Sequence, residues 1–587
     1  MLKNLRSGKK ILGLVLLFIL TISFTLINVR SFGETIMTSA PQLLTDPFLQ
    51  LPTENSVRVV WFTEFAGSQH TVNYGENLAE TARASTIKLS RTREDQQSRV
   101  GNQTANGQVY QQTVNRDIWR HEAEVTLSVV EGLTPARVNY RVTSVREDGE
   151  SVSSDVFTLA PNPKPGTPLK ILLTSDHQLK PMTAANLQKV VETVGRVDGV
   201  WFAGDLINIS DRASEWFDDN RGGAFFPALQ GRANYTMNHD GVKTTYTGGQ
   251  IIQHAPIFPC IGNHEVMGRF QRMASLDDEF NDTIPRAVAQ RLYSGKSLKN
   301  NSFNTDTYEE IFTLPTNKTG GKQYYAVSFG DVRLVVLYIT NMWRTPKLDS
   351  PYRGRYQEAV ADLNHPEKWG YGQLIYEAIA KGSQQYNWLA AELNSDEFKQ
   401  AKYKVVMFHH PPHTLGDNIV PAYTDPVQII TRDDFGNIKS VRYEYPKNDD
   451  YITRDVIPLL EAANVQFVLY GHSHLWNRFV SPRGMHFLET SNVGNTYGAA
   501  WGERKREVPT GYQEKYVELG DPNGLEPIVP TIAPLLGEDG KPMPYIASNN
   551  ITVFSIFDTG TGTVSSYRFD TRKPDSEVIK FDEFQLK

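Results

Sequence analysis

Two patterns of apolar and polar positions follow one another along the chain. Residues 56–62, 70–75, 122–127, 138–145 and 151–158 are short runs rich in β-branched and aromatic side chains. Glycine, proline and polar turn residues break them apart, the signature of strands. Several short strands in series predict a β-sandwich over residues 40–160. Pro161, Pro163 and Pro165 then alternate within 160–166, which neither a helix nor a sheet interior accepts, so this segment is read as a linker. Beyond it, the apolar runs 169–174, 199–203, 332–338, 403–408 and 465–470 predict buried strands. Segments 184–194, 385–393 and 453–463 carry helical spacing between them. Strands alternating with helices predict an α/β layered domain over 168–587. Two last runs, 551–557 and 564–569, flank Gly560-Thr561-Gly562 and predict a hairpin.

The first residues follow neither pattern. Lys3, Arg6, Lys9 and Lys10 precede an almost unbroken apolar run over 11–27. A basic segment before such a run is an export signal, and its length is near the lower limit for a membrane span. Residues 1–33 are therefore either a cleaved signal peptide or a retained signal anchor. Both place the rest of the chain outside the cytoplasm, secreted, periplasmic or on the outer surface, with membrane contact only through this segment. The 587 residues exceed what one core usually holds, which agrees with two domains. A net charge of −6 and the absence of a basic stripe exclude a nucleic-acid-binding surface, which needs many phosphate-neutralising cations. The single cysteine, Cys260, excludes an internal disulfide and a cysteine-built zinc site, and is read as a buried small side chain.

The chemistry stands directly after the predicted strands. Ser175-Asp176-His177-Gln178 follows the first, and Gly204-Asp205-Leu206-Ile207-Asn208 the second. Segment 256–261 ends in Gly262-Asn263-His264-Glu265. His409-His410-Pro411-Pro412 and Gly471-His472-Ser473-His474 follow two more strands. Ligand sites in α/β sheets form at these strand ends. Carboxylate, amide oxygen and imidazole suit divalent ions such as Zn, Mn or Fe. Two ions about 3.5–4 Å apart need a bridging carboxylate, for which Asp205 is the natural choice. Each cluster alone is a common turn; their joint order is what points to a metal centre. The long stretches 209–255, 267–322, 343–383, 412–450 and 500–545 exceed ordinary connections and are read as insertions over the active-site face. Trp201 and Trp388 are read as core, and His254, His413 and His486 as loop or surface residues. Segment 492–495 is read as a loop near the site.

The ordered set resembles the signature of calcineurin-like metallophosphoesterases: D-x-H, G-D-x-x, G-N-H-E/D, a lone H and G-H-x-H. The N-terminal β-region, with Pro41–Pro47 leading into it, resembles the fibronectin-type domain of purple acid phosphatases. Residues 325–330 and 471–478 are also similar to that family's segments. The resemblance implies a β-sandwich followed by a four-layer α/β/β/α domain. It implies that Asp176, Asp205 and His474 hold one metal ion, and Asp205, Asn263, His409 and His472 a second. The ions would be divalent or mixed-valence Fe, Mn or Zn. His264 would protonate the leaving oxygen or steady the phosphate, and Glu265 would orient it. Two positions depart from the pattern. Gln178 stands where histidine is usual, and Asn208 where purple acid phosphatases place tyrosine. The first metal ion is therefore either labile or held with the help of Gln178 and Asn208, and the second reading is the one adopted.

These observations lead to an exported enzyme that hydrolyses phosphate monoesters with a metal-bound hydroxide. A phosphodiesterase acting on nucleotides or lipid head groups is the alternative within enzymes. A binding protein with a degenerate metal site, supported by Gln178, is the alternative outside them.

Overall fold

The computed structural model describes residues 40–100, 110–127, 137–344, 354–419, 421–494, 496–507 and 516–587. The export segment over 1–33, the turn at Pro135 and Asn495 lie outside the described residues.

The N-terminal runs form two antiparallel sheets. One has the order Phe48–Gln50, Ser56–Thr63, Trp119–Thr126, Ser85–Lys88. The other is built on Val138–Val145, which pairs with Gln69–Tyr74, Ser151–Ser153 and Phe157–Leu159. Alternate residues of both sheets, among them Val57, Val59, Trp61, Val72, Tyr140 and Val142, meet in one core. The Trp61 indole donates to Ser144 Oγ across that core at 2.9 Å. Segment 160–166 carries no helix or strand. Asn162 anchors it, donating its backbone N–H to Thr53 O and its side chain to Ser328 O.

Two larger sheets follow. The first has the order Ile257–Pro259, Gly199–Phe202, Lys170–Thr174, Ile551–Asp558, Thr563–Asp570, Ile579–Gln585. Its first three strands are parallel and the rest antiparallel. The second has the order Tyr325–Phe329, Val332–Val336, Tyr403–Met407, Phe467–Tyr470, His486–Thr490, Trp476–Val480, Tyr545–Ile546. Strand alternation divides its side chains between two cores. Leu334, Val336, Val405, Met407, Phe467 and Leu469 share a core with Ile171, Leu172, Val200 and Trp201 of the first sheet. Val335, Val406 and Val468 turn the other way, toward Leu389 and Leu460 of the helices Gln384–Glu392 and Ile457–Ala462. Helix Thr183–Val194 packs with Leu187 and Val190 in the first core. Strands apolar on both faces are what a covered, largely parallel sheet requires.

The expected C-terminal hairpin forms between Ile551–Asp558 and Thr563–Asp570. A further strand, Ile579–Gln585, extends it at the sheet edge, its polar positions having hidden it from the apolar pattern. Two expectations are corrected. The helix expected over 453–463 opens as a π-helical turn, Ile452–Val456, before its α-helical part. Pro458 in that second turn has no N–H to continue an α-ladder. Finally, stretch 209–255 is not a polar cover. Its Phe217 and Phe226 pack against Phe48 and Phe62 of the N-terminal sheet, with ring centroids 5.0–5.4 Å apart. Residues 43–587 form one compact unit.

Candidate metal centre

The five clusters arrive at one place because each follows the C-terminal end of a strand in one of the two facing sheets. The backbone bends sharply there. Asp176, Gln178, Asp205, His472 and His474 all have positive φ, between 40° and 84°. For non-glycine residues this conformation costs about 1–3 kcal/mol each and concentrates at functional sites. Two neighbouring glycines make room for the carboxylates. A Cβ at Gly262 would collide with Asp205 Oδ1, and one at Gly471 with Asp176 Oδ2.

Asp205, His409 and His472 offer donor atoms that all lie within 4.8 Å of one another. Asp205 Oδ2 is 3.1 Å from His409 Nε2. His472 Nδ1 is 3.1 Å from His409 Nε2 and 2.9 Å from Asn263 Oδ1. His409 donates Nδ1–H to Ala203 O at 2.8 Å, which turns the lone pair of Nε2 toward the cluster. Burial disfavours a charge on His409, yet Asp205 outweighs it and pushes the imidazole up to about 10. Burial likewise opposes the charge on Asp205, but His409, His264 and His472 hold its carboxyl well below the usual range. A carboxylate, an amide oxygen and two imidazoles around a point that calls for positive charge fit a divalent ion.

The donors of the other half are more widely spaced. Asp176 Oδ1 lies 3.5 Å from His474 Nε2, and Asp176 Oδ2 accepts the His472 backbone N–H at 2.9 Å. Gln178 donates Nε2–H to Asp205 Oδ2 at 3.1 Å, while its Oε1 is buried without a hydrogen-bond partner. Asp176 Oδ1 is buried and unpartnered in the same sense. These two oxygens, His474 and Asp205 are the donors a second ion would find. Asn208 donates its side-chain amide to Gln178 O at 2.8 Å and so braces the turn that carries Gln178. His177 points away: its ring packs edge-on to Phe202 and its Nε2 meets Thr174 Oγ1 at 2.9 Å.

His264 stands at the edge of this cluster, with its side chain 23% exposed and Nε2 4.0 Å from Asp205 Oδ2. Desolvation lowers its imidazole, against the pull of Asp205. Glu265 is buried beneath. Its Oε2 accepts from Asp205 N and Gly262 N, and its Oε1 from Leu206 N, at 2.7–2.9 Å. Burial and the neighbouring Asp205 carboxylate push Glu265 up to about 8. It therefore shapes the backbone that presents Asp205 rather than touching His264.

A calcineurin-like phosphoesterase family model matches residues 169–475, the span that contains all five clusters. The chain belongs to the calcineurin-like phosphoesterase family. This calcineurin-like phosphoesterase is accordingly a metal-dependent hydrolase of phosphate esters, built for a pair of metal ions. Among solved structures it is similar to purple acid phosphatase PPD1 from yellow lupin (Lupinus luteus) seeds, at 13% identity and a TM-score of 0.51, over 93% of this chain and 74% of that one. It is also similar to PhoD, at 11% identity and a TM-score of 0.42, over 94% of both chains. The lupin likeness extends through the N-terminal β-region and is a likeness of fold. No curated protein matches the sequence.

Several residues of this phosphoesterase site escaped the sequence reading. Glu489 accepts Ser473 N–H at 2.8 Å and so holds the turn between His472 and His474; burial pushes it up to about 8. The Lys180 ammonium lies in the field of Asp176, Asp205 and Glu215, and burial lowers it. Among the described residues it has no salt-bridge partner. Tyr497 lays its ring 5.0 Å from that of His474. None follows an apolar run in a recognisable way, although Lys180 stands two residues past the first cluster. The remaining histidines are engaged elsewhere. His413 pairs with Asp521 at 2.7 Å, His254 with Thr158 Oγ1 at 3.0 Å, and His486 stacks on Phe584 at 4.4 Å. Trp201 and Cys260 are buried, and Trp388 packs at the core margin. Val493 O accepts Met182 N–H, which fastens the 492–494 loop beside the first cluster.

Proposed function

We propose that this phosphoesterase is an exported phosphomonoesterase. The observation that carries the reading is the convergence of Asp205, His409 and His472 within 4.8 Å, with the half-open imidazole of His264 beside them. Asp205, Asn263, His409 and His472 would hold one ion, and Asp205, Asp176, His474 and the Gln178 oxygen the other. Two bound divalent ions supply Lewis-acid charge to the phosphoryl oxygens and lower the pKa of a water at the site. The chain's own groups do the rest. Asp205 stands between the two halves and fixes their separation. As the imidazolium, protonated from solvent at its exposed edge, His264 would deliver the Nε2 proton to the leaving oxygen and be left as the neutral ring with its proton on Nδ1. Its Nδ1–H, donated to Asn208 O at 2.6 Å, keeps Nε2 facing the centre. Glu265 holds the Asp205 backbone in place through three N–H donors.

The preference for monoesters rests on charge. Lys180 adds an ammonium beside Asp176 and Asp205 that has no salt-bridge partner among the described residues. Arg355 is 2% exposed, donates to the carbonyl oxygens of Arg344 and Asn418, and stands near Tyr497 and His410 without a carboxylate partner among the described residues. Extra cations favour a dianionic monoester over a monoanionic diester. Export rests on the basic and apolar run over residues 1–27.

The test is hydrolysis of a chromogenic phosphate monoester and the matching diester by the chain lacking residues 1–33, with Mn, Zn, Fe or Ca supplied in turn. The reading expects the higher kcat/KM on the monoester. Diester preference overturns it in favour of a phosphodiesterase, and silence with every metal favours a binding protein. Protease accessibility of the full chain on intact bacterial cells checks export.

A further inference from the structure

The imidazole of His264 is aimed by two contacts, and neither comes from a sheet. Its Nδ1 meets Asn208 O at 2.6 Å, and its ring stacks on Phe280 with centroids 5.0 Å apart and planes 22° apart. Asn208 lies in an irregular loop. Phe280 lies in a helix of six residues, Leu276–Asn281. Such short segments do not hold a fixed position on their own.

Both are held by the N-terminal β-region. Arg93, 3% exposed, forks its guanidinium onto Glu279, the residue before Phe280: Nη1 to Oε1 at 2.8 Å and Nη2 to Oε2 at 2.6 Å. Its Nη2 also reaches Asp211 Oδ2 at 2.8 Å, and its backbone N–H donates to Asp211 O. Asp95 Oδ2 accepts the N–H of Leu276, which begins the same helix, at 2.8 Å. That oxygen also accepts from Arg212 Nη2 at 3.0 Å. Arg212 passes the constraint on through Glu215 Oε1 at 2.8 Å, and Glu215 Oε2 accepts the N–H groups of Asn208 and Ile209 at 2.7 and 2.9 Å. Asp95, Asp211, Glu215 and Glu279 are all buried.

Adhesion alone does not call for this network. Burying six charged groups carries a desolvation cost that pairing at best offsets, and the same junction already holds the apolar cluster of Phe48, Phe62, Phe217 and Phe226. What the ion pairs add is direction, since a bidentate guanidinium–carboxylate pair fixes orientation as well as distance.

We propose that Arg93 and Asp95 are positioning residues for the phosphoesterase reaction. Through Glu279–Phe280 and through Arg212–Glu215–Asn208 they set the ring plane and the Nδ1 contact of His264, so that the N-terminal β-region is part of the catalytic unit. The proposal rests on the reading of His264 as the acid that protonates the leaving oxygen.

The test uses leaving-group dependence, which a loss of fold or of metal does not change. Proton delivery matters for an alkyl ester and little for a 2,4-dinitrophenyl ester, whose leaving group departs unprotonated. Both esters, of whichever class the enzyme turns over, are assayed for the parent chain, His264→Ala, Arg93→Lys and Asp95→Asn, with metal content measured on each. Arg93→Lys is expected to lower kcat on the alkyl ester by about 10–100-fold and on the dinitrophenyl ester by less than about threefold, repeating the selective loss of His264→Ala. Asp95→Asn keeps the shape and an acceptor for Leu276 N–H; it is expected to show the same selectivity, and decides the matter if Arg93→Lys does not fold. Equal losses on both esters in these variants, beside a selective loss in His264→Ala, overturn the positioning proposal alone. Equal losses in His264→Ala itself remove the acid reading and the proposal with it.

Discussion

The two halves of the metal centre share Asp205, and each adds one amide oxygen; they differ in spacing and in the rest of the donors, two imidazoles in one and an imidazole and a second carboxylate in the other. On one side, His472 Nδ1 lies 2.9 Å from the amide oxygen of Asn263 and 3.1 Å from the His409 imidazole, and His409 is locked by Ala203 O. On the other, Asp176 and His474 stand 3.5 Å apart, and the third position is the neutral amide of Gln178. Neutral amide oxygens are weaker donors than imidazole toward ions of the Zn, Mn and Fe type. The difference teaches that one set of backbone turns can present two unlike donor sets; tighter binding of an ion in the first half than in the second is the prediction that follows.

The largest effect belongs to the residue the halves share. Asp205→Ala is expected to remove both ions and bring turnover to background. Metal analysis that still finds a full complement, with full activity, would break the comparison at its root. Next comes His264→Ala, which belongs to neither half. It is expected to slow an alkyl monoester by on the order of 10²–10⁴-fold with metal content unchanged. The halves separate in a third experiment: His472→Ala abolishes the tighter of two binding events seen by calorimetry, whereas His474→Ala abolishes the weaker. Equal effects would mean the asymmetry of donors has no energetic consequence. The smallest change sharpens the comparison by removing it. Gln178→His is expected to tighten the weaker event by about tenfold or more, within the range that ligand-shell changes produce, and an unchanged isotherm would show that Gln178 does not face that ion.

Much of this was legible in the sequence. Each cluster of donors followed an apolar run, so the strand ends, and the donor residues that the structure brings together there, were readable from the sequence. What the pattern could not carry were interactions between polar residues far apart in the chain. Glu489 beneath Ser473, and Arg93 clasping Glu279 across 186 positions, leave no periodicity to read. The 209–255 stretch misled for a related reason. Its few phenylalanines are diluted among polar residues, and only tertiary contact with Phe48 and Phe62 makes them core. The edge strand Ile579–Gln585 was hidden because an edge exposes one face and half its residues are polar.

The most direct test of the central claim is a titration of metal-free protein with Mn, in which bound ions are counted by native mass spectrometry while turnover of a phosphate monoester is followed in parallel. A two-ion centre with unequal halves predicts that the first ion binds at low concentration with little activity, and that turnover rises with the second. Full turnover at a single bound ion, or turnover without any, would contradict it.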